Sequence, residues 1–266
     1  MVIEWSKKET DILLKKANRA FNTEINDLLL TSLGMAIKKW SGLDDVIVNL
    51  EGHGREDIFK DIDITRTVGW FTSQYPVCLR MQQVNDISWL IRNIKESLRN
   101  IPNKGFGYGL LRYLSNQNHH RELSIQHPEI SFNYFGQMDQ DLKNNIFQTS
   151  PYSPGKNISE LTKRFYTLNI YGMVQDGKLK FVIDYSDEQY KRSTINSLAH
   201  HMKTSLKEIL DFCIQQDATE LTPSDFTLKG MSFEELEILK AETYQIGDIE
   251  DIYHLTPMQN GMLFHS

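Results

Sequence analysis

The stretch VIVNLEGHGRE, at residues 46–56, joins a predicted strand to a polar loop, and the rest of the chain is arranged around it. Residues 46–50 are mainly β-branched or apolar, which is typical of a buried or half-buried strand. Residues 51–56 change at once to four ionisable side chains and two glycines. Glycine lets the backbone approach a ligand closely, and a rigid strand end holds a carboxylate in place. Glu51 is therefore a candidate for proton transfer, with an ordinary polar loop as the alternative.

Apolar residues recur at helical spacing on both sides of this stretch. Before it, Asn22 or Thr23 is expected to cap a helix that ends at Trp40, and Gly42 suits a left-handed C-terminal cap. After it, Asp86 is expected to cap the next helix. The helix capped by Asp86 is predicted at 87–99, and two more helices are predicted at 7–20 and 188–215.

Alternating apolar residues predict further strands at 75–81, 130–135, 165–174 and 179–185. Pro76 places the first of these at a sheet edge or at a strand start. Asp176-Gly177, between the last two, is the strongest hairpin signal in the chain. In GFGYG, at 105–109, we interpret Gly105, Gly107 and Gly109 as turn-formers, with room for a short helix at 110–114.

The predicted order α-α-β-β-α-β-ββ-α places helices against mixed or antiparallel strands. We therefore predict an α/β fold, in the form of an α+β two-layer sandwich. Residues 140–163 are interpreted as a long surface loop and 221–229 as a linker. A capping box at Ser232 then opens a short acidic helix. Thr256 and Pro257 begin one more helix, which we interpret as the first element of another domain.

The composition is that of an ordinary globular protein, with 266 residues, 40% hydrophobic and 24% charged. The formal net charge is -6 and no basic run stands out, so nucleic-acid binding has no electrostatic support. Cys78 and Cys213 are far apart and are expected to be core thiols in a reducing compartment. No signal peptide or membrane span is visible, so we expect a cytoplasmic protein without a membrane partner.

Several other polar residues are candidates for sites. The pairs His119-His120 and His200-His201 are interpreted as structural or solvated, and no metal site is predicted. No phosphate-binding loop or nucleophile elbow is present. His53 lies between two glycines, with a hydrogen-bonded loop histidine as the alternative.

Asn133 and Tyr134 lie within the predicted strand at 130–135, with side chains on opposite faces. An amide inside an apolar strand needs a buried partner or a ligand, and satisfaction by neighbouring backbone is the alternative. Arg66, which precedes the sequence VGWF, is another candidate site residue, with a surface ion pair as the alternative.

Five stretches, in this order and spacing, resemble the signature motifs of the epimerization domains of nonribosomal peptide synthetases. These domains are relatives of condensation domains. The stretches are INDLLLTSLG (25–34), EGHGRE (51–56), RTVGWFTSQYPV (66–77), PNKGFGYG (102–109) and FNYFGQMD (132–139). The resemblance covers residues 1–230 as the C-terminal lobe of such a domain. By the same resemblance, 231–248 is an inter-module connector and 249–266 begins a following condensation domain.

The resemblance implies one lobe of a chloramphenicol-acetyltransferase-like fold. It implies inversion from L to D at the Cα of an aminoacyl or peptidyl thioester. The substrate is delivered on the phosphopantetheine arm of a peptidyl carrier domain, and no cofactor is bound directly. One proton carrier is Glu51, and the other is the second histidine of an HHxxxDG motif on the N-terminal lobe. The implied substrate-binding residues are His53, Arg66, Trp70, Asn133 and Tyr134. By the same resemblance, the active site is a chamber between two lobes. Asn133 and Tyr134 face this chamber, and Arg66 and Trp70 lie at its floor.

The sequence departs from the family because it contains no HHxxxDG motif. We therefore expect a truncated or split synthetase piece that does not epimerize alone. A separate chain that supplies the N-terminal lobe is one partner that the sequence leaves open. The alternatives are a peptide-bond-forming condensation domain and a non-catalytic module that docks carrier domains. An acyltransferase of the chloramphenicol type is more distant.

Overall fold

The computed structural model describes residues 1–82, 85–115, 127–138, 150, 152, 155, 159 and 162–265. These residues form six strands and seven α-helices. The strands are β1 (Val2–Glu4), β2 (Asp45–Gly52), β3 (Ser73–Arg80), β4 (Ile130–Gln137), β5 (Leu168–Gln175) and β6 (Lys178–Tyr185). The helices are α1 (Lys7–Lys15), α2 (Ile25–Ser41), α3 (Ile87–Arg99), α4 (Phe106–Tyr113), α5 (Arg192–Ile214), α6 (Phe233–Thr243) and α7 (Pro257–His265).

The strands form one mixed sheet in the order β1-β6-β5-β4-β2-β3. The central pairs β2–β4 and β4–β5 are parallel, and the other pairs are antiparallel. β3 is an edge strand, as Pro76 predicts, because a proline cannot donate a ladder hydrogen bond. The α/β class predicted from the sequence is confirmed.

The two faces of the sheet differ in what covers them. Residues at alternate positions of β5 and β6 are buried and join one hydrophobic cluster with α1, α2, α3 and α5. Leu33 of α2 and Leu206 of α5 are among its members and are almost fully buried. Because side chains alternate along a strand, the intervening residues lie on the second face. That face carries Glu51 and Asn133.

Several element boundaries differ from the prediction. The short strand β1 was missed, and it pairs with β6 from Val2 to Glu4. The cap of α2 is Glu24, whose backbone N–H donates to Asp27 Oδ2 at 2.7 Å, and not Asn22 or Thr23. The predicted helix at 7–20 ends at Lys15 and continues as a 3₁₀ turn at 17–20. The helix predicted to start at 188 begins at Arg192.

The interpretation of GFGYG as a turn is wrong for two of its three glycines. Only Gly105 takes the left-handed conformation, with φ of 77°, and α4 starts immediately after it. Gly107 and Gly109 are therefore helical. Packing of α4 beside β3 outweighs the low helix propensity of glycine.

The other turn and cap signals are confirmed. Asp176 and Gly177 have φ of 55° and 72° and join β5 to β6 as a two-residue hairpin. Gly42 ends α2 in the left-handed conformation, and the Asp86 side chain accepts from the Trp89 N–H at the start of α3. The capping box at Ser232 is formed.

The segment after α5 is fixed to α3 by ionic contacts. Lys95, which is 1% exposed, donates to Asp225 at 2.6 Å and to the Phe21 carbonyl at 2.9 Å. Arg92 pairs with Glu220 at 2.7 Å. Since charged groups are buried only with partners, these contacts anchor residues 220–225 to the domain.

Two predicted features lie outside the described residues, namely the His119-His120 pair and most of the loop at 140–163. His200 and His201 lie next to each other in α5, where His200 is exposed. In the ranges that the structure covers, no helix combines the length and apolar character needed to cross a membrane.

Candidate active site

A row of three polar side chains crosses the second face of the sheet. In the antiparallel pair, Glu51 of β2 lies opposite Gln74 of β3. In the parallel pair, Leu50 is aligned with Phe132, which brings the next residue, Asn133 of β4, to the level of Glu51. The two-residue period of strands places these side chains on one face.

Both carboxylate oxygens of Glu51 accept hydrogen bonds within this row. Asn133 Nδ2 donates to Oε2 at 2.6 Å, and Gln74 Nε2 donates to Oε1 at 3.1 Å. The two amide donors fix the orientation of the carboxylate. The structure also shows that Glu51 is the penultimate residue of β2, so it belongs to the strand and not to the loop after it. Its side chain is exposed to solvent, so it is open to a ligand.

The loop after β2 is ordered around His53 and Arg55. His53 Nδ1 accepts the Arg55 backbone N–H at 3.0 Å, and its Nε2 lies 3.1 Å from Glu56 Oε1. The Arg55 guanidinium donates to the carbonyls of Ile64 and Thr67 at 2.7 and 2.8 Å. It also lies 4.0 Å above the centre of the Phe71 ring, a cation–π contact. Arg55 therefore ties together the long connection between β2 and β3.

Gly54 makes the closest backbone approach in this loop. Its φ is 66°, and a Cβ built on it would lie 1.6 Å from the Phe71 carbonyl oxygen. Only glycine fits such a position. The two glycines of the sequence stretch thus have different roles, because Gly52 lies in β2 with an ordinary φ.

Glu51 lies where two open clefts meet. One, the polar cleft, has a volume of about 570 Å³. Glu51, His53, Asn133 and Tyr134 line it together. Its remaining lining includes the charged residues Glu24, Asp27, Glu56, Arg99 and Lys104. Four of the six predicted site residues therefore come together around one cleft.

Tyr134 contributes a buried phenol to the polar cleft. Its ring stacks on Phe181 with centroids 6.4 Å apart. Burial raises the pKa of the phenol to about 12. Its hydroxyl has no hydrogen-bond partner within the described part of the chain, and a buried polar group without a partner needs a ligand or a water. Tyr75 also lines this cleft, and burial, followed by the charge of Glu56, raises its pKa.

The other cleft, which we call the aromatic cleft, has a volume of about 830 Å³. Asn49 and Glu51 contribute to it from β2, and Trp70 is 91% exposed at its rim. The aromatic side chains that line it are Trp70, Phe71, Phe106, Tyr108, Tyr113, Phe165 and Tyr166. Arg66, the sixth predicted site residue, is exposed and lines neither of the two clefts.

Sequence reasoning missed Gln74 and the aromatic side chains of α4. The antiparallel register of β2 and β3 would have revealed Gln74, but that register is not readable from local sequence. The aromatic residues of α4 were hidden by the turn interpretation of GFGYG. As for metals, no cluster of three or more His, Cys, Asp or Glu side chains able to hold an ion occurs among residues with described positions.

Comparison with known proteins links this architecture to peptide synthetases. A family model described as the condensation domain matches residues 1–231. A mycosubtilin synthase polypeptide from Bacillus subtilis is 50% identical over 266 residues, which is 100% of this chain and 10% of that protein. Gramicidin S synthase 1 of Brevibacillus brevis is 46% identical over 244 residues, which is 88% of this chain and 22% of that protein. The chain thus spans only a minor part of each relative.

Solved structures of peptide synthetase domains also match this chain. The epimerization domain from the third module of tyrocidine synthetase B is 42% identical with a TM-score of 0.75, covering 82% of this chain and 49% of that chain. A holo four-domain nonribosomal peptide synthetase, bound to AMP and glycine, is 12% identical with a TM-score of 0.58. It covers 81% of this chain and 17% of that chain, and at this identity it shows the fold alone. The predicted fold, one lobe of the chloramphenicol-acetyltransferase-like type, is confirmed.

Proposed function

Because the chain belongs to the condensation-domain family of nonribosomal peptide synthetases, we propose that it forms one lobe of an epimerization domain. Such a domain inverts the Cα of an aminoacyl or peptidyl thioester. The observation that carries the proposal is the position of Glu51. Its carboxylate is held by Gln74 and Asn133 where two clefts meet.

The chemistry of inversion suits a carboxylate held in this way. One group removes the α-proton, the thioester carbonyl delocalises the resulting negative charge as an enolate, and a second group returns a proton to the other face. Glu51 is one of the two proton carriers in this proposal. Its two amide donors fix its orientation where the clefts meet, so that Cα can be approached from a fixed direction.

The other predicted site residues contribute binding. We propose that Tyr134 and Asn133 face the reacting group, because both line the polar cleft beside Glu51. His53 lies at the rim of that cleft, 62% exposed, with Glu56 as its partner. Trp70 and Arg66 would complete the floor once the rest of a two-lobed domain is present. For the divisions of the chain, we propose the lobe at 1–230, a connector at 231–248 and the start of a condensation domain at 249–266.

The substrate in this proposal arrives on the phosphopantetheine arm of a peptidyl carrier domain. Phosphopantetheine is then a part of the substrate and not a resident cofactor of this chain. In the solved epimerization domain, a single chain contains both the matched half and the remainder. The comparisons therefore give no support for a separate chain that supplies the other lobe.

A condensation domain that forms peptide bonds is the second candidate. The match to the condensation-domain model favours it as much as epimerization. The 42% identity to a solved epimerization domain favours epimerization. We therefore rank epimerization first.

A chimera can separate the two reactions. It joins residues 1–231 of this chain to the half of the solved tyrocidine epimerization domain that the chain does not match. The chimera is incubated in D₂O with a carrier-bound L-phenylalanyl thioester, and the hydrolysed amino acid is analysed for configuration and deuterium. We expect a mixture of L and D forms with deuterium at Cα. Dipeptide formation with an added acceptor thioester, without deuterium at Cα, would favour condensation.

The 266-residue chain alone is the matched control. We expect no α-proton exchange from it, because its sequence contains no HHxxxDG motif to supply the second proton carrier. Robust exchange by the chain alone would contradict this expectation and would show that its own residues supply both carriers.

A further inference from the structure

The aromatic cleft is the feature that the proposed function leaves without a role. Its inner wall is formed by half-buried aromatic rings, whereas Trp70 and Phe165 at its rim are almost fully exposed. Phe106 and Tyr108 come from α4, and Tyr166 comes from the segment just before β5. These residues are distant in sequence and meet only in the folded chain.

The position of Glu51 limits how a substrate can lie. A Cα that exchanges its proton with Glu51 must lie within about 3–3.5 Å of the carboxylate. The groups attached to this Cα then extend away from Glu51 into the two clefts that meet there. The polar cleft offers charged and amide side chains, which suit the amide-rich pantetheine arm. The aromatic cleft offers rings, which suit a side chain without charge.

Resting on the proposed function, we propose that the aromatic cleft receives the side chain of the aminoacyl group and selects a large, neutral one, aromatic or aliphatic. Tyr166 is its specificity-determining residue. Its half-buried ring lines the same cleft as Glu51, from the segment just before β5. A side chain that extends from the reacting Cα into this cleft can therefore contact Tyr166.

The charges around the cleft support a neutral side chain. Burial, and then the nearby charge of Glu51, raises the pKa of Tyr166, which indicates a site partly removed from water. The cation that lines the cleft, Arg112, is already engaged, because it donates to Tyr108 Oη at 2.9 Å and lies 3.2 Å from the His127 ring. A charged substrate side chain of either sign would have to leave water for a wall of half-buried aromatic rings, which is unfavourable.

Binding to the 266-residue chain tests the proposal directly. The probes are aminoacyl-pantetheine analogues in which an amide replaces the thioester, and their affinities are measured by calorimetry. We expect the phenylalanyl analogue to bind at least about tenfold more tightly than the alanyl analogue, as apolar pockets discriminate by size. In Tyr166→Ala this preference should fall close to parity while alanyl binding is unchanged. Tyr166→Phe should keep the preference, since it keeps the ring.

Tyr244→Ala is the matched control, because Tyr244 is an exposed tyrosine outside both clefts. It should leave the preference unchanged. Equal binding of the phenylalanyl and alanyl analogues, tighter binding of a glutamyl analogue, or no binding of any analogue would overturn the assignment. If that happens while the chimera still exchanges the α-proton, the proposed function stands and only the side-chain site is wrong. Selective binding without exchange in the chimera would contradict the proposed function alone.

Discussion

At the residue scale, Lys95 is the most unusual side chain in the domain. It is 1% exposed and carries a charge into the region between α3 and the segment that follows α5. The partners that balance this charge are the Asp225 carboxylate and the Phe21 carbonyl. Removing one member of a buried ion pair leaves the other charge without compensation.

Lys95→Met is therefore expected to lower the free energy of unfolding by about 3–5 kcal/mol. The measurement is urea denaturation followed by circular dichroism. Lys178→Met is the control, because its ion pair with Glu4 lies at the surface and is screened by solvent. Similar midpoints for the two variants would show that the Lys95 pair does not hold the segment in place.

The contribution of the Lys95–Asp225 ion pair to stability depends on pH, because Asp225 can be protonated. Burial alone would raise the pKa of Asp225, but hydrogen bonds from Lys95, the Thr222 N–H and Asn22 outweigh it and lower the pKa. An acid whose pKa is lowered by folding stabilises the protein above its unfolded pKa, roughly 4, and loses that contribution as the pH falls through the folded value.

Asp225→Asn should therefore destabilise the protein at pH 7, and the difference from the unchanged protein should shrink as the pH is lowered below roughly 4. Denaturation curves of both proteins across that range test this. A difference that is constant with pH would contradict the assigned role of the Asp225 charge.

At the element scale, the accuracy of sequence prediction depends on how local the signal is. The hairpin of β5 and β6 was predicted because Asp176-Gly177 encodes its own turn. The strand β1 was missed because three residues carry no detectable period. The short helix predicted at 110–114 starts earlier, at Phe106, because the glycines of its first turn gave a turn signal and its formation depends on packing against β3.

Two glycines at α4 provide a test, because replacing each with alanine should change the stability of the protein in opposite directions. Gly109→Ala should stabilise the protein by about 0.5–1 kcal/mol, because alanine is the better helix former and a Cβ there meets no atom within 4 Å. Gly105→Ala should destabilise it, because φ is 77° and the new Cβ would lie 2.1 Å from the Tyr75 ring. Thermal unfolding of both variants checks the signs. Destabilisation by Gly109→Ala would show that α4 is not helical at this point.

At the scale of the whole molecule, the candidate site depends on contacts that the sequence does not encode locally. Glu51 and Asn133 are 82 positions apart and meet through the parallel register of β2 and β4. Composition and periodicity predicted the strands, but only the resemblance to epimerization domains placed these two residues in one site. Membership of the condensation-domain family, which this resemblance implies, is confirmed. The aromatic cleft was not foreseen, because its lining comes from separate segments.

The substitution Glu51→Gln in the chimera tests the central claim most directly. It keeps the size of the side chain and removes its capacity to exchange a proton. We expect deuterium incorporation at Cα of the carrier-bound phenylalanyl group to fall by about 10²–10⁴-fold, the usual contribution of a positioned acid or base. The control Lys178→Met, at a surface ion pair outside both clefts, should exchange at the rate of the unchanged chimera. Undiminished exchange by Glu51→Gln would contradict the account, because Glu51 would then not be a proton carrier.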